Sequence, residues 1–220
     1  MLQTLKLLLS TDKSRISMID SHKDVIIKLK FIGTFQEGEK VDIKNLQIEG
    51  MSLGDSLLNY FDENLIKKNQ ADVYQYIESK KFTMSGFYNE RDNLNFSDYD
   101  GIQVHYKNND QNYIINGLSG KIFGNYDKNF KECFSKQDEI LSTLKKSFNE
   151  LNNKSYYTVT HPADKSGKSK VRLVNLSFKN RTGKIVGTLS IECYQWHEST
   201  PYRNNLKVVI NNTELNEWLK

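Results

Sequence analysis

The sequence predicts an α+β fold in which antiparallel β-meanders pack against α-helices. Three observations carry this. Segment 127–151 places Phe130, Cys133, Phe134, Leu141, Leu144, Phe148 and Leu151 at three- and four-residue steps, with Ile140 beside them, and so lays one apolar stripe along a helix. A second stripe, Leu53, Leu57, Leu58, Phe61 and Leu65, runs through 52–68. Around these helices, short segments rich in β-branched and aromatic residues alternate in polarity and are broken by turn residues such as Asn108-Asn109-Asp110 and Asn180-Arg181-Thr182-Gly183.

Taken in order, residues 2–20 hold Leu2, Leu5, Leu8 and Leu9 at helical spacing. Segments 25–35 and 41–48 alternate as strands around the turn residues 37–40, which predicts an N-terminal β-hairpin. Ser52 and Asp55 form a capping pair for the 52–68 helix, and Lys67 and Lys68 suit the negative end of its dipole. Strands are expected at 81–88, 101–107 and 112–123. Asp127 is the expected N-cap of the long helix. Further strands fall at 156–160, 169–178, 184–196 and 206–210, and Asn212 or Thr213 caps a last helix containing Leu215, Trp218 and Leu219.

The chain therefore divides into 1–48, a hairpin-bearing segment, then 49–120 and 121–220, two αβββ units. Ile48-Glu49-Gly50 and Leu118-Ser119-Gly120 each lead into a helix and then strands, which suggests a tandem duplication, side by side or sharing one sheet. Helix-then-meander is common in α+β proteins, and coincidence is the alternative. This layout resembles small helix-on-sheet modules such as the beta-lactamase-inhibitor-protein-like fold, which also occurs in tandem. Gly50-Met51-Ser52-Leu53-Gly54-Asp55-Ser56-Leu57-Leu58-Asn59-Tyr60 resembles a helix opening in hypothetical proteins of marine bacteria. Neither resemblance implies an activity or a site residue.

Composition narrows the class. The 220 residues are 37% hydrophobic and 11% aromatic, with 12 Tyr and 11 Phe, so large rings offset a modest aliphatic content. A net charge of +4 with patterning throughout excludes a disordered chain and does not by itself make a nucleic-acid binder. No segment approaches the ~20 apolar residues of a membrane-spanning helix. The apolar run Leu7–Leu9 is shorter than the ~7–15 residues of a signal-peptide core, so the expected location is cytoplasmic, with export the alternative if a signal peptide was removed.

Cys133 lies on the long helix's stripe, and Cys193 shares a strand face with Leu189 and Ile191. Both point into the layer between helix and sheet. A disulfide is sterically allowed there, but a reducing compartment favours two buried thiols. Gly167-Lys168-Ser169 imitates a phosphate loop, yet Pro162 replaces its first glycine and a strand follows, so a nucleotide site is rejected. Lys165, Lys168, Lys170, Arg172, Lys179, Arg181 and Lys184 run without an acid between them, as a solvated edge-guarding hairpin or a surface for phosphates. Tyr194, Trp196 and Tyr202, with His197 and Pro201, make an aromatic cluster suited to binding or to closing a core. His161, Asp164 and His197 are the one group able to converge on a metal or a labile proton.

The functional expectation is a non-catalytic protein-interaction or structural module, without cofactor, whose partner is another protein. One alternative is phosphate or nucleic-acid binding through 165–184. The other is a hydrolase or metal enzyme using His161, Asp164 and His197.

Overall fold

A computed structural model describes residues 15–16, 30–32, 42–71, 77–147 and 156–220. The strands in chain order are β1 (Arg15–Ile16), β2 (Lys30–Ile32), β3 (Leu46–Gln47), β4 (Gln70–Ala71), β5 (Phe82–Tyr88), β6 (Gly101–Lys107), β7 (Gly117–Ile122), β8 (Tyr157–Thr160), β9 (Lys170–Lys179), β10 (Ile185–Gln195) and β11 (Asn205–Asn212). The helices are α1 (Glu63–Lys68), α2 (Asn89–Asp92), α3 (Lys131–Ser147) and α4 (Thr213–Trp218), with single 3-10 turns at Ile43–Asn45 and Leu57–Asn59. The fold is α+β, as the alternation predicts.

Strands β4 to β11 form one eight-stranded sheet in the order β4-β5-β6-β7-β11-β10-β9-β8. Every neighbouring pair is antiparallel. The order is palindromic: two four-stranded meanders run inward from opposite edges and meet at β7 and β11. The strands of 49–120 and of 121–220 thus share a single sheet.

Strand alternation gives this sheet two different faces. Registry aligns Phe87, Ile102, Gly120, Val208, Ile191 and Val174 in one row across six strands, and all are buried. Helix α3 lays Cys133, Leu141 and Leu144 on this face. Leu46, Ile48, Met51, Leu57 and Ile66 from the segment before β4 belong to the same core. Gly120 is required here because a Cβ would stand 2.3 Å from the Tyr99 ring. One polar residue sits within the α3 stripe: Gln137 is fully buried and donates to the Ile191 and Arg172 carbonyls at 2.7 and 3.0 Å.

Cys133 and Cys193 are joined in a disulfide between α3 and β10, with both residues fully buried and 60 positions apart. This corrects the expectation of two thiols. The parity that sends both side chains into one layer also brings their Cα atoms to 6.0 Å, within bridging range.

Other departures have local causes. The 52–68 segment is not one helix. Asp55 does accept from the Ser52 amide at 2.9 Å, but Gly54 adopts a left-handed φ of +92° and the chain then pairs with 112–115. Leu57 N–H donates to the Tyr113 carbonyl and the Asp55 carbonyl accepts from Ile115 N–H, so a donor and an acceptor that a helix would use are taken by a tertiary partner. For the same reason the 112–123 strand begins only at Gly117. Asp127 does not cap α3. Its carboxylate accepts from the Asn204 amide, and the helix begins at Lys131. Residues 43–45 are a 3-10 turn capped by Asp42, although β2 and β3 do pair antiparallel as the N-terminal hairpin requires. The expected 2–20 helix and 37–40 turn lie outside the described residues, apart from 15–16, as do Phe148 and Leu151 of the long stripe.

The bridge closes a long loop, so replacing Cys133 and Cys193 together by Ser should lower unfolding free energy by about 4 kcal/mol on the chain-entropy model. Denaturant titration of the double variant tests the size. Peptide mapping under non-reducing conditions should recover one linked pair, and free thiols at both positions would contradict the bridge.

Candidate functional site

The sheet's second face carries a different row. Registry places Tyr88, Gly101, Lys121, Lys207, Glu192, Leu173 and Tyr157 side by side across seven strands. Lys121 of β7 lies directly opposite Lys207 of β11, and Lys207 directly opposite Glu192 of β10. Charged residues in the three central strands of a sheet face are unusual unless something uses them. Helix α4 covers the neighbouring end of this face. Asn212 caps it through the Leu215 amide, Leu215 packs over Gly117, and Trp218 lies 5.4 Å from the Phe82 ring.

Between α4 and the loops at the opposite strand ends is a cavity of about 440 Å³. Gln103, His105, Lys121, Glu192, Lys207 and Asn211 form its floor. Its wall is aromatic. Trp196 stands 4.5 Å from the His161 ring and 4.4 Å from Tyr202, with Tyr194 at 5.8 Å. Tyr88 lies flat over Gly101, where a Cβ would meet its ring at 2.3 Å, so that glycine lets Tyr88 lean into the site. At the mouth, Arg203 stacks on Phe123 at 4.6 Å. A side depression of about 350 Å³ shares Tyr88, Phe123 and Arg203 with the main cavity and continues to Arg91.

Electrostatics make this cavity distinctive. Lys207 is 9% exposed and Lys121 is half-buried. Among the described residues neither ammonium forms a salt bridge. Lys207 lies 5.6 Å from the Tyr194 ring, and Lys121 donates to the Tyr88 hydroxyl at 3.4 Å. Glu192 accepts from Ser190 and Tyr194. Burial, then the charge of Lys207, push the Lys121 ammonium down to about 7, against the pull of Glu192. Burial also lowers Lys207, and Glu192 opposes this. His105 is driven down to about 3 by burial and by both lysines, and His161 to about 4 by the same causes. Both imidazoles are therefore neutral at physiological pH. Among the described residues, the buried Oδ1 atoms of Asn205 and Asn211 have no hydrogen-bond partner. The cavity thus offers two amines, one carboxylate, spare acceptors and flat walls.

The aromatic residues read from the sequence, Tyr194, Trp196 and Tyr202, meet here with Pro201 and His161. The basic run does not form one surface. Lys165 and Lys168 are exposed on the loop before β9, Lys170 begins that strand, and Lys179 and Arg181 lie at its far end. Lys170 and Lys179 are the two ends of ten-residue β9, roughly 30 Å apart. Arg172 between them is taken up under α3, paired with Asp138 at 3.1 Å and stacked on Tyr156 at 3.8 Å. At the start of β9 the run does not guard an edge, since β8 pairs with Lys170 to Leu173.

His161, Asp164 and His197 lie near one another, since the Ser169 hydroxyl donates to Asp164 and accepts from the His197 amide at 3.0 Å, but each side chain has a different engagement. His161 faces the cavity. Asp164 is turned into its own loop, where it accepts from Ser166 and twice from Ser169, which holds its carboxyl well below the usual range. The His197 ring bonds Ser199 instead. Among the described residues no group of three or more His, Cys, Asp or Glu is placed to hold a metal ion. Sequence reading missed Lys121, Lys207, Glu192, His105 and Tyr88. The available signal was a lysine inside each of two apolar strands, Gly-Leu-Ser-Gly-Lys-Ile and Asn-Leu-Lys-Val-Val-Ile. Compared with protein-family models, curated proteins and solved structures, the chain shows no match.

The histidines predict an acid response. The unfolded chain binds their protons near 6.5, whereas the folded chain refuses them until about 3 for His105 and about 4 for His161. Their stabilisation is complete above 6.5 and is lost as pH falls towards those values. Urea titrations should show stability declining below that point, and His105→Gln should flatten the decline. An unchanged slope in the variant would refute the assignment.

Proposed function

We propose that this chain binds a small anionic molecule with a flat or apolar body in the cavity on the second sheet face. One observation carries the reading: Lys121, half-buried, and Lys207, buried, lie side by side across β7 and β11 without a salt bridge among the described residues. Burying two amines together is unfavourable, and a bound carboxylate or phosphate relieves the cost that burial and mutual repulsion impose. Arg203 on the cavity lining, 3.8 Å from Asp127, adds weaker attraction for an anion. The aromatic wall suits a ring, and the spare Asn205 and Asn211 oxygens suit donor groups on the ligand.

This reading departs from the expected protein-interaction or structural module and moves the alternative of phosphate recognition from 165–184 to the cavity. A nucleic-acid surface has weaker support, because the basic residues fall at opposite ends of β9. A protein partner is a second reading, favoured by Tyr202, which is 48% exposed beside Pro201 at the cavity rim. The buried disulfide supports an oxidising compartment over the cytoplasm. No helix among the described residues is long and apolar enough to cross a membrane.

Titrating the protein with benzoate and phenyl phosphate, and following tryptophan fluorescence, tests the reading. Both anions should bind, and neutral benzyl alcohol should bind far more weakly. Lys207→Met should weaken the anions by about tenfold or more, the worth of a lost charged hydrogen bond. Binding should tighten as pH falls through about 7, because the anion favours protonated Lys121. Equal affinity for benzyl alcohol, or indifference to Lys207→Met, would overturn it.

A further inference from the structure

We infer that Lys121 is a reactive amine that condenses with an anionic aldehyde or ketone in the cavity, while Lys207 holds the ligand's anionic group. The inference rests on the anion-binding reading and names its substrate class.

Placement carries the argument. An ordinary strand lysine extends its ammonium to water or to a carboxylate. Half-buried Lys121 reaches no carboxylate among the described residues. Its Nζ has a hydrogen bond to the Tyr88 hydroxyl at 3.4 Å, inside a space large enough for a small carbonyl compound. The groups facing it come from every element packed around it. They are Tyr88 on β5, Gln103 and His105 on β6, Lys207 on β11, Glu192 and Tyr194 on β10, His161 on the loop after β8, and Arg203 at the mouth. Glu192 lies opposite Lys207 rather than opposite Lys121, so the carboxylate favours charge on Lys207, the more buried of the pair. The result is one cation beside one amine. The low value of Lys121 agrees with this division, since near neutral pH a large fraction is free base and nucleophilic.

The chemistry balances without a cofactor. The Nζ lone pair forms a C–N bond to the carbonyl carbon as the C=O π pair moves to oxygen. That oxygen gains a proton and the nitrogen loses one, giving a carbinolamine. The nitrogen lone pair then forms C=N as the hydroxyl leaves with a proton as water. The net change is amine plus carbonyl to imine plus water, with no oxidation. The Tyr88 hydroxyl is the O–H beside Nζ that can relay the proton.

The test exposes the full chain to glyoxylate with cyanoborohydride and maps modified lysines by peptide mass spectrometry. Lys121 should be alkylated about tenfold or more faster than exposed Lys165 and Lys168, and benzoate should suppress it. Lys121→Arg should remove the adduct, and Lys207→Met should reduce labelling and binding together. Labelling of wild-type Lys121 no faster than Lys165, with benzoate binding intact, overturns the amine inference and leaves the anion reading standing. Failure of benzoate to bind the wild-type protein removes both. The wild-type comparison decides the matter even if a variant misfolds.

Discussion

The pairing of β7 with β11 is the contact on which the rest of the structure depends. It joins two four-stranded meanders into one sheet, from Leu206 opposite Ile122 to Asn211 opposite Gly117. Because strand side chains alternate, that register decides both faces at once. One residue of slip would move Val208 and Ile210 off the α3 face and send Lys207 into the core. The same register sets Lys121 against Lys207. Core and candidate site are therefore two consequences of one ladder.

The two faces divide the energetic roles. The α3 face holds the fully buried aliphatic residues and the disulfide, and the hydrophobic stabilisation is concentrated there. The second face accepts half-buried charge and unpartnered amide oxygens, which oppose folding, and histidines whose protonation in acid would oppose it. Such a face persists because the other compensates for it. Functional sites are where a chain departs from local self-consistency.

That division also explains what the sequence made legible. Strand β6 was readable from Gly101 to Lys107 because Ile102, Val104 and Tyr106 alternate against polar neighbours. The helix at 52–68 was misread because its apolar spacing is real, while Gly54 and the partner at 112–115 act through conformation and tertiary bonding that periodicity does not encode. The aromatic wall was readable, since Tyr194, Trp196 and Tyr202 fall close together in the chain. The amine pair was not, because Lys121 and Lys207 meet only through a long-range strand pairing. The cysteines lie between these cases. Parity placed both in one layer, but the preference for thiols rested on compartment, an argument external to the geometry.

The disulfide and the cavity are mechanically linked. Cys193 lies between Glu192 and Tyr194 on β10, and alternation sends its sulfur to α3 while its two neighbours face the cavity. The bridge therefore fixes, from behind, the strand that aligns Glu192 with Lys207 and Tyr194 with the aromatic wall. Gln137, one turn along α3 from Cys133, donates to the Ile191 carbonyl and braces the same stretch of backbone. A strand held by a covalent bond and a buried amide loses little freedom when a ligand arrives, so less binding energy is spent on ordering it. The placement of the bridge directly behind the polar row follows from sheet geometry, and it makes the rigidity of the core serve the opposite face.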